Sequence, residues 1–599
     1  MTSDLIPEDF EERVLKASKK ELQELISKAS LSCNSDSLTE VLIRLHNENQ
    51  IDIITVFSEI RQEPSSGAHF FQKRRIFEAI LPNLNADIAK VMDCVLHLIE
   101  EAGEDLSANV VLQPFADYCS ANPSRPSRGL ELVEESPELY VPLILPILIA
   151  GSQLEFTFYF DSTLRLINCE NIEIRKSAVL ALGRLQYQDN TDFPDIALGS
   201  LEILLEKETD DITLANLIDS AARFYKYEVP LQPRINQAID TALLKGGDFA
   251  LNTASNLFGL RNEELPENAI NIILKHLQNV NPYHKLSLDN IDYGIASLVE
   301  KDGQNKTIEF LEQILLKSKG EISLSTFDST CYKILENKEN IFSRIVTKWL
   351  LSGKSQLCKA IFDIVSLPYG DDLIISIDPS EIDISNYNEI YFLARKAIGY
   401  LFFKPISAAS IIVSLIKVVS EDEIFQALSE LLFDPLLINY PGQVRNYLDQ
   451  QIQTTISSPL KEALQAAVNS LESYVADLNT VSTIPEIHPP QRNIDAYNLR
   501  FQKQCSEYMT QAEKSSALFS ILPKSLLLYY GNKSIDYVYA YNSEVKRVET
   551  PLKKLGDGEK ISISIPSLTL IDPLGLDYML RMFQVEQLNK NETDKPRLG

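Results

Sequence analysis

A helical phrase recurs about every 36 residues through the middle of this chain, and that period limits the fold more than any other feature. Ile174–Leu185 (IRKSAVLALGRL) is followed by Leu214–Tyr225, Phe249–Leu260, Leu288–Val299, Leu324–Leu335 and Gln356–Leu367, at steps of roughly 40, 35, 39, 36 and 32 residues. Each phrase carries apolar residues three and four apart, as a helix with one buried face requires. One helix pair buries too little apolar surface to stand alone, so the period predicts pairs stacked on their neighbours around a shared core.

The first clear unit reads as a helix at Phe156–Ile167, a turn NCEN and a second helix from Ile172 to Leu185. In the next, Ile196–Leu205 precedes the acidic turn EKETDD and a second helix. Ala178, Ala181, Ala215, Ala221 and Ala254 recur on the second helices, where small side chains let neighbouring helices approach closely. The phrase CENIEIRKSAVLALGRL resembles the second half of a HEAT repeat through Asn171, Ile174, Arg175, Ala178, Ala181, Leu182, Gly183 and Leu185. Later units keep the period and lose the arginine and the Leu-Gly, apart from Gly259. The resemblance to the HEAT/armadillo-like helical-repeat (α-solenoid) family implies a mainly α protein, a right-handed α-α superhelix of HEAT-like helix pairs. It also implies that Arg175 pairs with a turn acid of a neighbouring repeat.

Residues 1–151 read as irregular helices, divergent repeats ahead of the regular array at 152–370; further helical pairs follow at 371–478. Pro485, Pro489 and Pro490 mark 479–493 as a linker. Residues 494–599 read as a small C-terminal α+β module: a polar helix, four strand-like runs (Lys524–Tyr530, Ser534–Tyr541, Glu544–Thr550 and Lys560–Ile565), then a last helix opened by Asp572-Pro573. Its apolar stripe Leu576, Met579, Leu580 and Phe583 is expected to pack on that sheet or anchor a partner.

Charge narrows the partners. The 84 acidic against 56 basic residues give a net charge of −28, while from Glu486 onward 15 basic residues meet 14 acidic ones. The repeat part is therefore acidic, which repels nucleic-acid backbone and anionic membrane and favours basic protein segments, and which equally serves solubility alone. The seven cysteines stand singly and form no CxxC pair, and the acidic start MTSDLIPEDFEERV is not a signal peptide, so a cytoplasmic location is expected. The apolar runs Val141–Ala150, with two prolines, and Ile406–Val419, with Lys417, read as buried helices rather than membrane spans.

No motif for chemistry stands out. None of the six histidines precedes a glutamate, so the paired His-Glu pattern of helical-repeat metalloenzymes resembling deoxyhypusine hydroxylase is missing. HExxH, Walker and GxSxG patterns are missing too, and neither catalytic residue, metal nor cofactor is expected. His97 and His276 read as core or boundary histidines, Asp210-Asp211 and Asp371-Asp372 as helix-capping turn acids, and Lys73-Arg74-Arg75 as a solvated face. Candidate partner contacts are Tyr537, Tyr539 and Tyr541 with Lys546 and Arg547, and the stripe Leu576, Met579, Leu580 and Phe583; Arg175 and Gly183 are structural repeat positions. The sequence thus points to a non-enzymatic interaction scaffold or adaptor with an acidic groove. An accessory subunit of a nucleic-acid-processing or defence complex, touching nucleic acid through its tail, is the alternative. An unrecognised enzyme is the third reading, to be signalled by a deep polar pocket with perturbed carboxylates.

Overall fold

The structure, a computed structural model, describes residues 10–515 apart from short breaks (30–34, 63–66, 104–107, 189–191, 228, 302–303, 368–371, 420, 456 and 482), together with 533–539, 545–551 and 572–588. It is mainly α, and the chain divides into two compact units, Met1–Val280 and Asn281–Gly599.

In the first unit, irregular helices precede an ordered array. The apolar stretch Pro137–Leu154 is long enough by composition to cross a membrane. Here it is broken into two short turns and a helix at Ile144–Leu154, and Leu143, Ile144, Ile147 and Leu148 are fully buried. The array follows as α1 (Phe156–Ile167), α2 (Ile172–Leu182), α3 (Phe193–Lys207), α4 (Asp211–Arg223), α5 (Gln232–Lys245), α6 (Asp248–Leu260) and α7 (Glu267–Leu277). Second helices stack on second helices, α2 on α4 on α6, and first helices α1, α3, α5 and α7 stack likewise, which is the helical-repeat arrangement the period demands.

Polar ties one repeat apart fix the stacking. Arg175 Nε donates to Glu208 Oε2 at 2.8 Å while its Nη1 donates to the carbonyl of Cys169 at 2.8 Å, so the arginine joins its own turn to the next. Asn171 caps α2 and Asp210 caps α4 through backbone N–H groups. Asp211 instead reaches the following repeat, accepting from the N–H groups of Gly247, Phe249 and Ala250 at the start of α6. Ser220 Oγ donates to the Val179 carbonyl at 2.7 Å. A Cβ at Gly183 would sit 2.4 Å from Ser220 Cα, so only glycine permits that approach.

The second unit comprises α8 (Lys285–Glu300), α9 (Gln304–Lys317), α10 (Asp328–Glu336), α11 (Ser343–Ser352), α12 (Ser355–Ser366), α13 (Tyr387–Leu401), α14 (Pro405–Val418), α15 (Asp422–Leu431), α16 (Gln443–Thr454) and α17 (Ser458–Val481). The recurring phrases all fall on helices, except that Leu324–Leu335 is split into a short turn and α10. Beyond lie α18 (Gln491–Ser515), the antiparallel hairpin β1 (Lys533–Tyr539) and β2 (Val545–Pro551), and α19 (Pro573–Val585). The expected sheet-and-helix module is corrected on two counts. Among the described residues the β structure is one two-stranded hairpin, the other two strand-like runs lying outside them. The last helix packs on α13 and α18 rather than on a sheet of its own, because α13 offers its apolar stripe a buried face and its carbonyl end a lysine.

Candidate protein-docking site

Sequence places an odd residue in the middle of α13: Lys396 shares a face with Phe392 and Gly399, at helical steps of four and three. That face is buried, and Lys396 has no exposed surface. Its ammonium donates to the carbonyls of Gln584 (2.7 Å) and Glu586 (2.6 Å) at the end of α19 and lies 5.0 Å from the centre of the Phe392 ring. The last carbonyls of a helix have no partner within it and carry partial negative charge, so a cation there is doubly favourable. Burial pulls the Lys396 ammonium below its ordinary pKa, against the attraction of Glu586. Burial also pushes the Glu586 carboxyl up, although Arg395, with which it pairs, opposes this.

The remaining contacts complete a fitted site. Gly399 leaves room for α19: a Cβ there would be 3.0 Å from Phe583 Cβ and 3.2 Å from the Gln584 nitrogen. Gln584 Nε2 donates to the Gly399 carbonyl at 2.6 Å. At the start of α19, Asp572 caps Gly575 N–H at 2.9 Å, and Asp577 pairs with Arg500 of α18 and with Arg581. Leu576 is buried; Met579, Leu580 and Phe583 are half-buried.

A second segment is held in a different conformation. Residues 373–378 run extended, with Leu373, Ile375 and Ile377 buried and Ile374 exposed. Ile375 N–H donates to Ser410 Oγ (2.9 Å), Ile377 N–H to Ser414 Oγ (3.0 Å) and Asp378 N–H to Thr347 Oγ1 (2.8 Å), while Ser407 Oγ donates to the Leu373 carbonyl (2.8 Å). Ser407, Ser410 and Ser414 lie on one face of α14 and satisfy the extended backbone as a paired strand would.

A cavity of about 680 Å³ lies under α18 and α19, bounded by α12 and α13 and lined among others by Lys359, Asp363, Tyr400, Tyr497 and Leu580. Burial pushes the Asp363 carboxyl up to about 6, although Ser323 Oγ donates to it at 2.8 Å. None of the lining residues is a histidine or cysteine. Among the described residues no group of three or more His, Cys, Asp or Glu side chains is placed to hold a metal.

The other sequence candidates are dispersed. The hairpin register sets Tyr537 opposite Arg547, Val538 opposite Lys546 and Tyr539 opposite Val545; Tyr541 lies outside the described residues. Arg74 corrects the expectation of a solvated basic face: it is buried, pairs with Glu78 at 2.9 Å and lies over Phe71, because its helix turns that side inward. His276 is buried against Asp240, Nε2 to Oδ1 2.6 Å. Sequence reading missed Lys396, Gly399 and the three serines of α14. The legible signals were a lysine on an apolar face and serines at three- and four-residue steps in PISAASIIVSLIKV.

No protein-family model matches this chain, and no curated protein matches it. Among solved structures it is similar to an engineered protein (12% identity, TM-score 0.20, 78% of this chain and 99% of that one). It is likewise similar to a structure of the Pds5–Scc1 complex (12% identity, TM-score 0.26, 82% of this chain and 88% of that one). The helical-repeat assignment therefore rests on the stacking described above.

Proposed function

We propose that this protein is a non-enzymatic scaffold or adaptor that captures segments of partner proteins on its helical repeats. What carries the reading is that the second unit holds two segments of its own chain as it would hold ligands: α19, from 188 residues away, by its carbonyl end, and 373–378 by its extended backbone. Helix-in-groove and strand-like capture are the two common ways of binding a peptide. The pairs would wind as a right-handed superhelix, and its acidic surface would speed encounter with basic segments. A cytoplasmic setting suits the buried free thiols Cys94, Cys119, Cys331 and Cys358.

The test is affinity capture with full-length protein from native lysate, with and without nuclease, followed by competition with a synthetic 572–588 peptide. A stoichiometric protein partner that survives nuclease and is released by the peptide supports the scaffold and locates its site. Material that vanishes with nuclease moves the accessory-subunit reading ahead. That second reading draws on the hairpin register, which sets Tyr537 across from Arg547. It expects full-length protein to shift a single strand at low salt and the Tyr537→Ala/Tyr539→Ala variant to fail. For an enzyme, the cavity beside Asp363 is where a reaction would sit.

A further inference from the structure

Three arginines in the first unit stand at one place in three successive repeats. Arg184 follows α2, Arg223 ends α4 and Arg261 follows α6, at sequence steps of about 39 and 38 residues that match the repeat spacing. All three converge on a single carboxylate. Arg184 Nη2 lies 3.4 Å from Asp219 Oδ2, Arg223 Nε 3.0 Å from the same oxygen, and Arg261 Nη1 3.2 Å from Oδ1. Arg261 is shared with Glu264. Lys226 adds a fourth cation whose charge reaches Glu264, and its ammonium lies over the half-buried Tyr227 ring at 4.7 Å.

Four cations thus face two carboxylates, in a protein whose net charge is strongly negative. Cations at helix C-termini are favourable one at a time, but three guanidinium groups around one carboxylate repel each other. The repulsion is visible at Arg184: burial chiefly, and then the charges of Arg223 and Arg261, hold its guanidinium below the usual arginine value despite Asp219. Arg184 Nε is buried with no hydrogen-bond partner among the described residues. The cluster therefore carries surplus charge and a donor without a partner, Arg184 Nε, and the guanidinium fork matches tetrahedral oxyanions.

We propose that Arg184, Arg223 and Arg261 form a recognition site for a phosphate monoester carried on a partner peptide. A dianion brings the charge the two carboxylates lack, and the edge of Tyr227 gives the peptide an apolar rest. These arginines belong to the first unit and the face of α13 that holds α19 to the second, so this site stands or falls without the scaffold reading.

The experiment is calorimetric titration of the full chain, at fixed ionic strength, with a phosphoserine peptide, the same peptide with glutamate in place of phosphoserine, and inorganic phosphate. Phosphopeptide binding is expected to weaken at least tenfold in Arg223→Gln and Arg261→Gln, and also in Arg223→Lys, which keeps charge and loses the fork. Arg128→Gln, elsewhere in the unit, should leave it unchanged. Arg184→Gln removes a repelled charge, so its melting temperature should not fall while its phosphopeptide binding does. Equal binding of the glutamate peptide, binding of free phosphate alone, or unchanged affinity in the arginine variants would each overturn the proposal. So would loss of stability across all the arginine variants with no phosphate-dependent rise in wild-type melting temperature, since the cluster would then be a structural clamp.

Discussion

Both units are held together by ties of one repeat length, and the second adds ties that cross nearly 200 residues. Arg175 to Glu208, Asn216 to the Lys176 carbonyl and Ser220 to the Val179 carbonyl span 33, 40 and 41 residues. Lys396 to Gln584 and Arg395 to Glu586 span 188 and 191. In the first pattern each repeat is stabilised by its neighbours. In the second, α13 keeps a buried cation whose hydrogen-bond partners belong to a remote helix, and the repeat surface acts as a receptor. The same building block supports itself in both units, and in the second it also holds a remote helix.

The contrast is broken most strongly at Gly183. A side chain there meets the backbone of α4 rather than a mobile tip, so Gly183→Val should destabilise the first unit by about 3 kcal/mol or more. Hydrogen exchange would show protection lost across α2 and α4 while α13 and α14 keep theirs. Full protection of α2 and α4 in the variant would disprove the close contact.

Next in size are changes at the receptor face. Gly399→Val pushes against Phe583 and the Gln584 backbone and should release α19 selectively, with protection of 573–585 falling while α13 stays folded. Lys396→Met keeps the packing and removes the donor to two carbonyls, at a cost of about 1–3 kcal/mol to the docking of α19. If α13 unfolds together with α19 in both variants, α19 is an integral part of the unit's core and the receptor description fails.

How far these differences could be read in advance follows from their range. The period of the second helices, the caps at Asp210 and Asp572, and the turn pairing of Arg175 that the repeat resemblance implied involve neighbours in sequence or in repeat, and they were legible. The destination of α19 was not. Its apolar stripe states that one face is covered without saying by what, and the match between its carbonyl end and Lys396 exists only after 188 intervening residues have folded. Residues 373–378 were opaque for a related reason. Pro368, Gly370 and an acidic pair interrupt the period just before them, and their backbone partners include serines on another helix.

The smallest expected effect concerns pH and runs in opposite directions in the two units. Asp240 in the first unit lies below the ordinary aspartate value, chiefly because His276 hydrogen-bonds to it. Its folded pKa is lower than the unfolded one, so its stabilisation is present above the unfolded value and is lost as pH falls through the folded one. Asp363 in the second unit is raised to about 6 by burial, above an unfolded value of roughly 3.9. The folded protein binds this proton more tightly, so the contribution is full below about pH 4 and is lost as pH rises through about 6. Asp363→Asn should therefore flatten the pH dependence of the second unit's unfolding between about pH 4 and 6 and leave that of the first unit alone. Denaturation followed by unit-specific hydrogen exchange at several pH values reads both slopes. An unchanged slope in the second unit would mean that Asp363 is ionised as freely in the folded state as in the unfolded one, and that the space beneath α18 and α19 is as wet as bulk solvent.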